Sequence, residues 1–224
     1  VAGLATMEIG SSEFNSNNAT AGNGGAIYVD GSALNVNANT KFTGNTAVNH
    51  GGAISVNDKV DTQTQVSTPS VANITGAVFG GNTGSNGGAV YFNDSTYTIT
   101  DCTFTENTAT SDTYGGGAVY NTGATGMLDK VKFVGNTALR GGAVALYTNS
   151  QVTASDIIAS DNEAIADGGV FYVNKGKLDL TKNPVVLTDN NANNGGAVFA
   201  VSSDVDIYNA RIENNRATTN GGAL

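Results

Sequence analysis

A tetrapeptide F-x-x-N, followed a few residues later by G-G-A and an aliphatic residue, recurs from one end of the chain to the other. Phe133-Val134-Gly135-Asn136 leading to Gly141-Gly142-Ala143-Val144 is one instance. The first glycine of each pair falls at Gly24, Gly51, Gly87, Gly116, Gly141, Gly168, Gly195 and Gly221, so successive intervals are 27, 36, 29, 25, 27, 27 and 26 residues. The F-x-x-N elements begin at Phe14, Phe42, Phe79, Phe104 and Phe133, and Leu187 and Ile212 later take the phenylalanine place. One unit is blurred, with Ile158 or Ala159 standing before Asn162. A unit of this size cannot bury a core alone and has to stack on copies of itself, which restricts the chain to repeat architectures.

The local pattern selects strands for those units. Segments such as Ala26-Ile27-Tyr28-Val29 and Leu34-Asn35-Val36-Asn37-Ala38 alternate with a period of two and are rich in β-branched and aromatic residues, and no stretch carries a helical stripe. Two strands per unit are readable, with a third short one expected around F-x-x-N. Equivalent strands of successive units run in the same direction, so each can pair only with its counterpart one unit above and below. The expected fold is therefore all-β: a single-stranded parallel β-helix of about eight coils, roughly 40 Å long at ~4.8 Å per coil. A right-handed coil is expected from the strong preference of parallel crossovers.

Each repeated residue has a physical task in such a coil. The glycine pairs permit sharp turns or a positive φ without a Cβ clash, and the asparagines before several of them (Asn23, Asn86, Asn194, Asn220) tolerate the left-handed region. The phenylalanines would stack into an internal column, and the asparagine of F-x-x-N would bond turn backbone and form a ladder with its equivalents. Two units are longer than the rest. Residues 57–73 read as a polar loop and 108–115 as a lengthened corner carrying Asp112 and Tyr114. Either could contact a partner or be a neutral surface loop.

Composition narrows the function classes. A net charge of −9 over 224 residues opposes nucleic acid and anionic membrane as partners. Cys102 is the only cysteine, so an intrachain disulfide is impossible; it shares the inward phase of Thr40, Ala77, Val131, Val185 and Ala210 and reads as a small buried hydrophobe. No apolar run approaches the ~18 residues of a membrane span, and no signal peptide opens the chain. The chain is read as one β-helix domain over 1–224 that begins and ends partway through a coil, without polar caps, as a piece of a longer array would.

F-x-x-N alternating with G-G-A-[I/L/V] resembles the repeats of the chlamydial polymorphic outer membrane proteins, whose repeats belong to autotransporter passenger domains and adhesin-like bacterial proteins. The resemblance spans essentially the whole chain, with Gly168-Gly169-Val170 departing from it at the alanine. It implies a right-handed parallel β-helix exported through a C-terminal β-barrel and displayed as an adhesin. No barrel strands are present here, so similar repeats anchored another way remain open.

Among candidate sites, the second residue after the G-G-A alanine is Tyr28, Ser55, Tyr91, Tyr120, Ala145, Tyr172 and Phe199. The residue before each is aliphatic or Phe, so alternation places this column outside. Exposed stacked aromatics, with Tyr114 nearby, would suit sugar rings or a partner surface; the competing reading is like-on-like stacking that serves the fold alone. Catalysis on a β-helix needs clustered carboxylates, and the candidates are Asp156 with Asp161 and Asp204 with Asp206. None of the three arginines joins a cluster of acids, so no catalytic residues, metal or cofactor are expected. His50, the single histidine, reads as an exposed turn residue.

The sequence thus points to a non-catalytic stalk and adhesive surface at the cell exterior, meeting a host-cell or matrix protein or a glycan. A polysaccharide-active enzyme on the same scaffold is one alternative. A fibre component that self-associates through uncapped ends is another.

Overall fold

A computed structural model describes residues 5–224. Among them the chain winds through eight coils whose strands build four parallel sheets. In coil one the strands are Thr6–Ile9, Glu13–Asn15, Asn18–Ala19 and Ile27–Asp30, which open the first, second, third and fourth sheets in that order. The eighth coil contributes Asp204–Ile207, Ala210–Glu213 and Arg216–Asn220, so the fourth sheet has seven strands and the others eight. Four strands per coil is one more than the sequence reading allowed. The missed one is the short piece after the ladder asparagine, such as Thr46–Ala47 or Thr108–Ala109, too brief to show alternation.

Stacking is in register at the residue level. Phe42 pairs with Phe79, Phe79 with Phe104 and Phe104 with Phe133. Their rings lie 4.6 to 5.3 Å apart inside the coil and are fully buried. Leu187 continues the column beyond Ala159, and Thr40, Ala77, Cys102, Val131 and Val185 point inward beside it.

A second internal column is polar. The backbone N–H and Nδ2 of Asn107 both donate to Oδ1 of Asn136 in the next coil, at 3.0 and 2.9 Å, while Nδ2 also donates to the Phe79 carbonyl of the coil before, at 3.1 Å. The same three bonds recur at Asn45, Asn82, Asn136, Asn162 and Asn190. A buried amide is tolerable only when its donors and acceptor are matched, and here each unit supplies what its neighbour needs.

The tight corners fall at the glycine pairs, as expected. The asparagines before the glycine pairs are not left-handed; the first glycine itself is, as at Gly87 with φ +65°. A Cβ on Gly87 would sit 2.3 Å from the Val90 carbonyl, and one on Gly88 would strike the Gly117 carbonyl of the next coil at 2.1 Å. Left-handed side-chain-bearing residues occupy the position just before the ladder asparagine instead, as at Ser16, Glu106, Asp161 and Asp189.

The long second unit is not a featureless loop. Lys59–Val60 and Ser67–Thr68 pair antiparallel into a small hairpin that folds over Gly31. Its base is fastened by Asp58, whose carboxylate accepts from the Ser70 N–H at 2.6 Å and the Ser67 hydroxyl at 3.1 Å.

Candidate functional site

Alternation along the fourth sheet turns Val90 and Phe92 into the core and sends Tyr91 outward, and the same holds at Tyr120 and Tyr172. The expected aromatic ladder forms on this outer wall. Its rings are 5.3 Å apart between Tyr91 and Tyr120, and 6.0 Å between Tyr172 and Phe199.

The column contains two gaps, and other elements fill both. At Ala145 the neighbouring outward residue Tyr147 leans across, stacking 5.1 Å from Tyr120 and lying tilted at 5.3 Å from Tyr172. At Ser55 the ring comes from the glycine corner, where His50 stacks on Tyr91 at 4.4 Å. His50 is therefore a half-buried member of the ladder and not an exposed turn residue. The Asn86 amide Nδ2 lies 3.2 Å from its Nδ1, an arrangement that fits a neutral imidazole carrying its hydrogen on Nε2. Burial accordingly lowers the proton affinity of His50. Sequence reasoning missed His50 and Tyr147 because each lies outside the seven-residue column; the signal was the small residue at each gap.

This packing corrects the expectation of an exposed aromatic face. Tyr91, Tyr120 and Tyr172 are buried, Phe199 is half-buried, and together with Ala145 and Tyr147 they make a second apolar cluster outside the main core. Rings stacked face to face spend their faces on one another, leaving none for a sugar. Burial, with the Asp94 charge beside it, pushes the Tyr91 hydroxyl up to about 12, and burial raises Tyr120 and Tyr147 as well. Of the six aromatic candidates only Tyr28, 51% exposed, and Tyr114, 43% exposed, present open rings.

Tyr114 is held by the lengthened corner. Its ring meets Tyr120 and Tyr147 edge-on at 6.2 and 5.2 Å. Arg140 fastens that corner: its guanidinium donates to the Thr113 carbonyl, pairs with Asp167 at 3.1 Å, and lies 5.7 Å from the centre of the Tyr172 ring.

The two carboxylate pairs are placed differently. Asp156 and Asp161 occupy left-handed corners at opposite ends of the strand Ile157–Ser160. Asp204 and Asp206 do share an exposed face, where Asp206 pairs with Lys177 at 3.6 Å. Among the described residues no group of three His, Cys, Asp or Glu side chains is placed to hold a metal ion, and no helix is long and apolar enough to cross a membrane. Cys102 is buried, and that burial pushes its thiol up to about 11.

Comparison with known proteins meets this geometry at the repeated corner. Residues 11–30, 39–57 and 101–122 match the Chlamydia polymorphic membrane protein repeat. Three stretches of the chain are thus similar to that repeat. Each matched span begins at the corner before the second sheet and runs through the ladder asparagine and the glycine pair into the fourth sheet. Unmatched coils share the repeat's register, since Phe79 of coil three pairs with Phe42 and Phe104 on either side. The chain is also similar to the probable autotransporter YfaL of Escherichia coli (strain K12), 33% identical over 85 residues, which is 35% of this chain and 7% of that protein. It thus spans a small fraction of that relative's length. No solved structure matches.

Proposed function

We propose that these repeats form a non-catalytic passenger segment, a stiff rod displayed outside the cell that presents its side walls to a host-cell or matrix component. The observation that carries this reading is the unbroken pairing of equivalent strands through every coil, with the asparagine column running the length of the rod and the phenylalanine column through its first five coils. Such a wall resists bending because each coil is bonded to both neighbours. Similarity to the Chlamydia repeat and to a probable autotransporter supports surface display. Within the aromatic wall, the closed ladder stiffens the rod, and Tyr114 with Tyr28 supplies the rings that can reach a partner.

Asp179, one of the carboxylates lining the polar depressions on the first sheet, argues against glycosidase chemistry. Hydrogen bonds from the Thr181 hydroxyl and N–H hold its carboxyl below the usual carboxylate range, the opposite of what a general acid requires.

Beads coated with the protein, tested on epithelial monolayers and on matrix-coated wells, should adhere saturably, and free protein should compete. The same protein incubated with a polysaccharide panel should release no new reducing ends. Adhesion no better than that of albumin-coated beads would remove the display reading, and released sugars would replace it with the enzymatic one.

A further inference from the structure

The outer face of the first sheet carries two adjoining depressions over coils five to eight. One, of about 400 Å³, is lined by Asn149, Gln151, Lys175, Lys177 and Asp204 among others. The second, of about 190 Å³, shares Gln151 and Lys177 and adds Thr125 and Asp179. We infer that together they form a binding groove for a neutral, β-linked oligosaccharide lying along the rod axis. This rests on the reading of the chain as a display surface and gives that surface a site and a ligand class.

The chemistry of the groove eliminates other ligands. Gln151 pairs in register with Lys177, and Lys177 with Asp204, so amide, ammonium and carboxylate follow one another on successive coils. Carboxylates beside the lysines disfavour a polyanion such as nucleic acid. An extended peptide cannot add as a strand, because the neighbouring coils already pair with both edges of Lys177–Leu180. No aromatic ring lines either depression, so recognition has to come from hydrogen bonds at fixed positions.

A sugar chain meets those terms. Its hydroxyl groups both donate and accept, as the wall does. Asp179 spends Oδ1 on Thr181 and, among the described residues, has no protein donor at Oδ2. The amides of Asn149 and Gln151 make no side-chain hydrogen bond within the described protein and face outward. Successive coils are spaced by about 4.8 Å, close to the advance of one pyranose along an extended glycan. Consecutive sugars would therefore meet consecutive coils.

The test is titration of the ¹⁵N-labelled protein with cellotetraose and chitotetraose, followed by backbone amide shifts. Saturable shifts centred on Gln151, Lys177 and Asp179 are expected, with Gln151→Ala and Lys177→Ala each weakening binding by about fivefold, the equivalent of one hydrogen bond. Lys132→Ala, on the second sheet, should leave it unchanged, and a polyanionic oligogalacturonate should bind more weakly than either probe. Absence of shifts with both neutral probes, shifts centred on Tyr28 or Tyr114, or affinity indifferent to the two groove variants would each overturn the groove. Bead adhesion that persists when the oligosaccharides do not bind removes the groove alone; loss of both removes the display reading as well.

Discussion

The ladder asparagines join the coils through a side chain that each coil both uses and supplies. Replacing Asn107 with Ala takes the acceptor from the Asn82 N–H and Nδ2 and the donor from the Phe79 carbonyl. Loss of about 2 to 4 kcal/mol is expected by denaturant unfolding, since each orphaned buried group costs roughly 1 to 3 kcal/mol. Tyr97 shows a different dependence. It turns into the core against Phe92, and its ring fills the space above Gly126, where a Cβ would lie 2.0 Å from the ring. Gly126→Ala should destabilise the wild type by about 1 to 3 kcal/mol through overpacking. In a Tyr97→Leu background the same change should be nearly neutral, a coupling that a double-mutant cycle reads directly. Among the described residues, the Tyr97 hydroxyl and the Asn121 side-chain Oδ1 are buried without a hydrogen-bond partner. Tyr97→Phe, which keeps the ring, should therefore hold or raise the melting temperature. His50 introduces a pH dependence. Burial lowers its folded-state proton affinity below the ordinary imidazole value of about 6.5, so its contribution is complete above about pH 6.5 and is lost as the pH falls from there toward the folded value. Melting temperatures from pH 7.5 to 5 should fall more steeply in the wild type than in His50→Gln.

At the scale of elements, the four sheets have unequal legibility in sequence. The first and fourth announce themselves through alternation over four or five residues, as in Val71–Thr75 and Phe171–Asn174. The third is invisible to that test where it is only two residues long, and is held by stacking and not by propensity. The outward direction of Tyr91, Tyr120 and Tyr172 followed from pleating alone. Their burial did not, because it depends on Tyr147 leaning in from an adjacent column and on His50 arriving from the glycine corner one coil earlier than Tyr91. The groove was equally hidden: nothing local to Gln151 or Lys177 records that they are neighbours. The hairpin at Lys59–Thr68 lies outside the stacked wall and is anchored through Asp58. Shortening its tip across Thr62–Gln65 should leave thermal stability within about 0.5 kcal/mol, as is usual for surface changes.

For the whole molecule, stability and display depend on the same continuity. A coil contacts only its two neighbours, so damage at the phenylalanine column of one coil should propagate as a break in the rod and not as uniform softening. The buried thiol of Cys102 reports that break. It should resist alkylation in the native protein at pH 8, where burial keeps it protonated, and react once the stack opens. Regular stacking is tested most directly by distances along the rod. Spin labels at Asn15, paired in turn with Val134, Ser160 and Thr188, sit in one outward column of the second sheet, on coils one, five, six and seven. Pulsed electron–electron resonance should give narrow distributions that lengthen in equal steps of about 4.8 Å from one pair to the next. Unequal steps, or distances that fail to rise from coil to coil, would contradict the stacked-coil account.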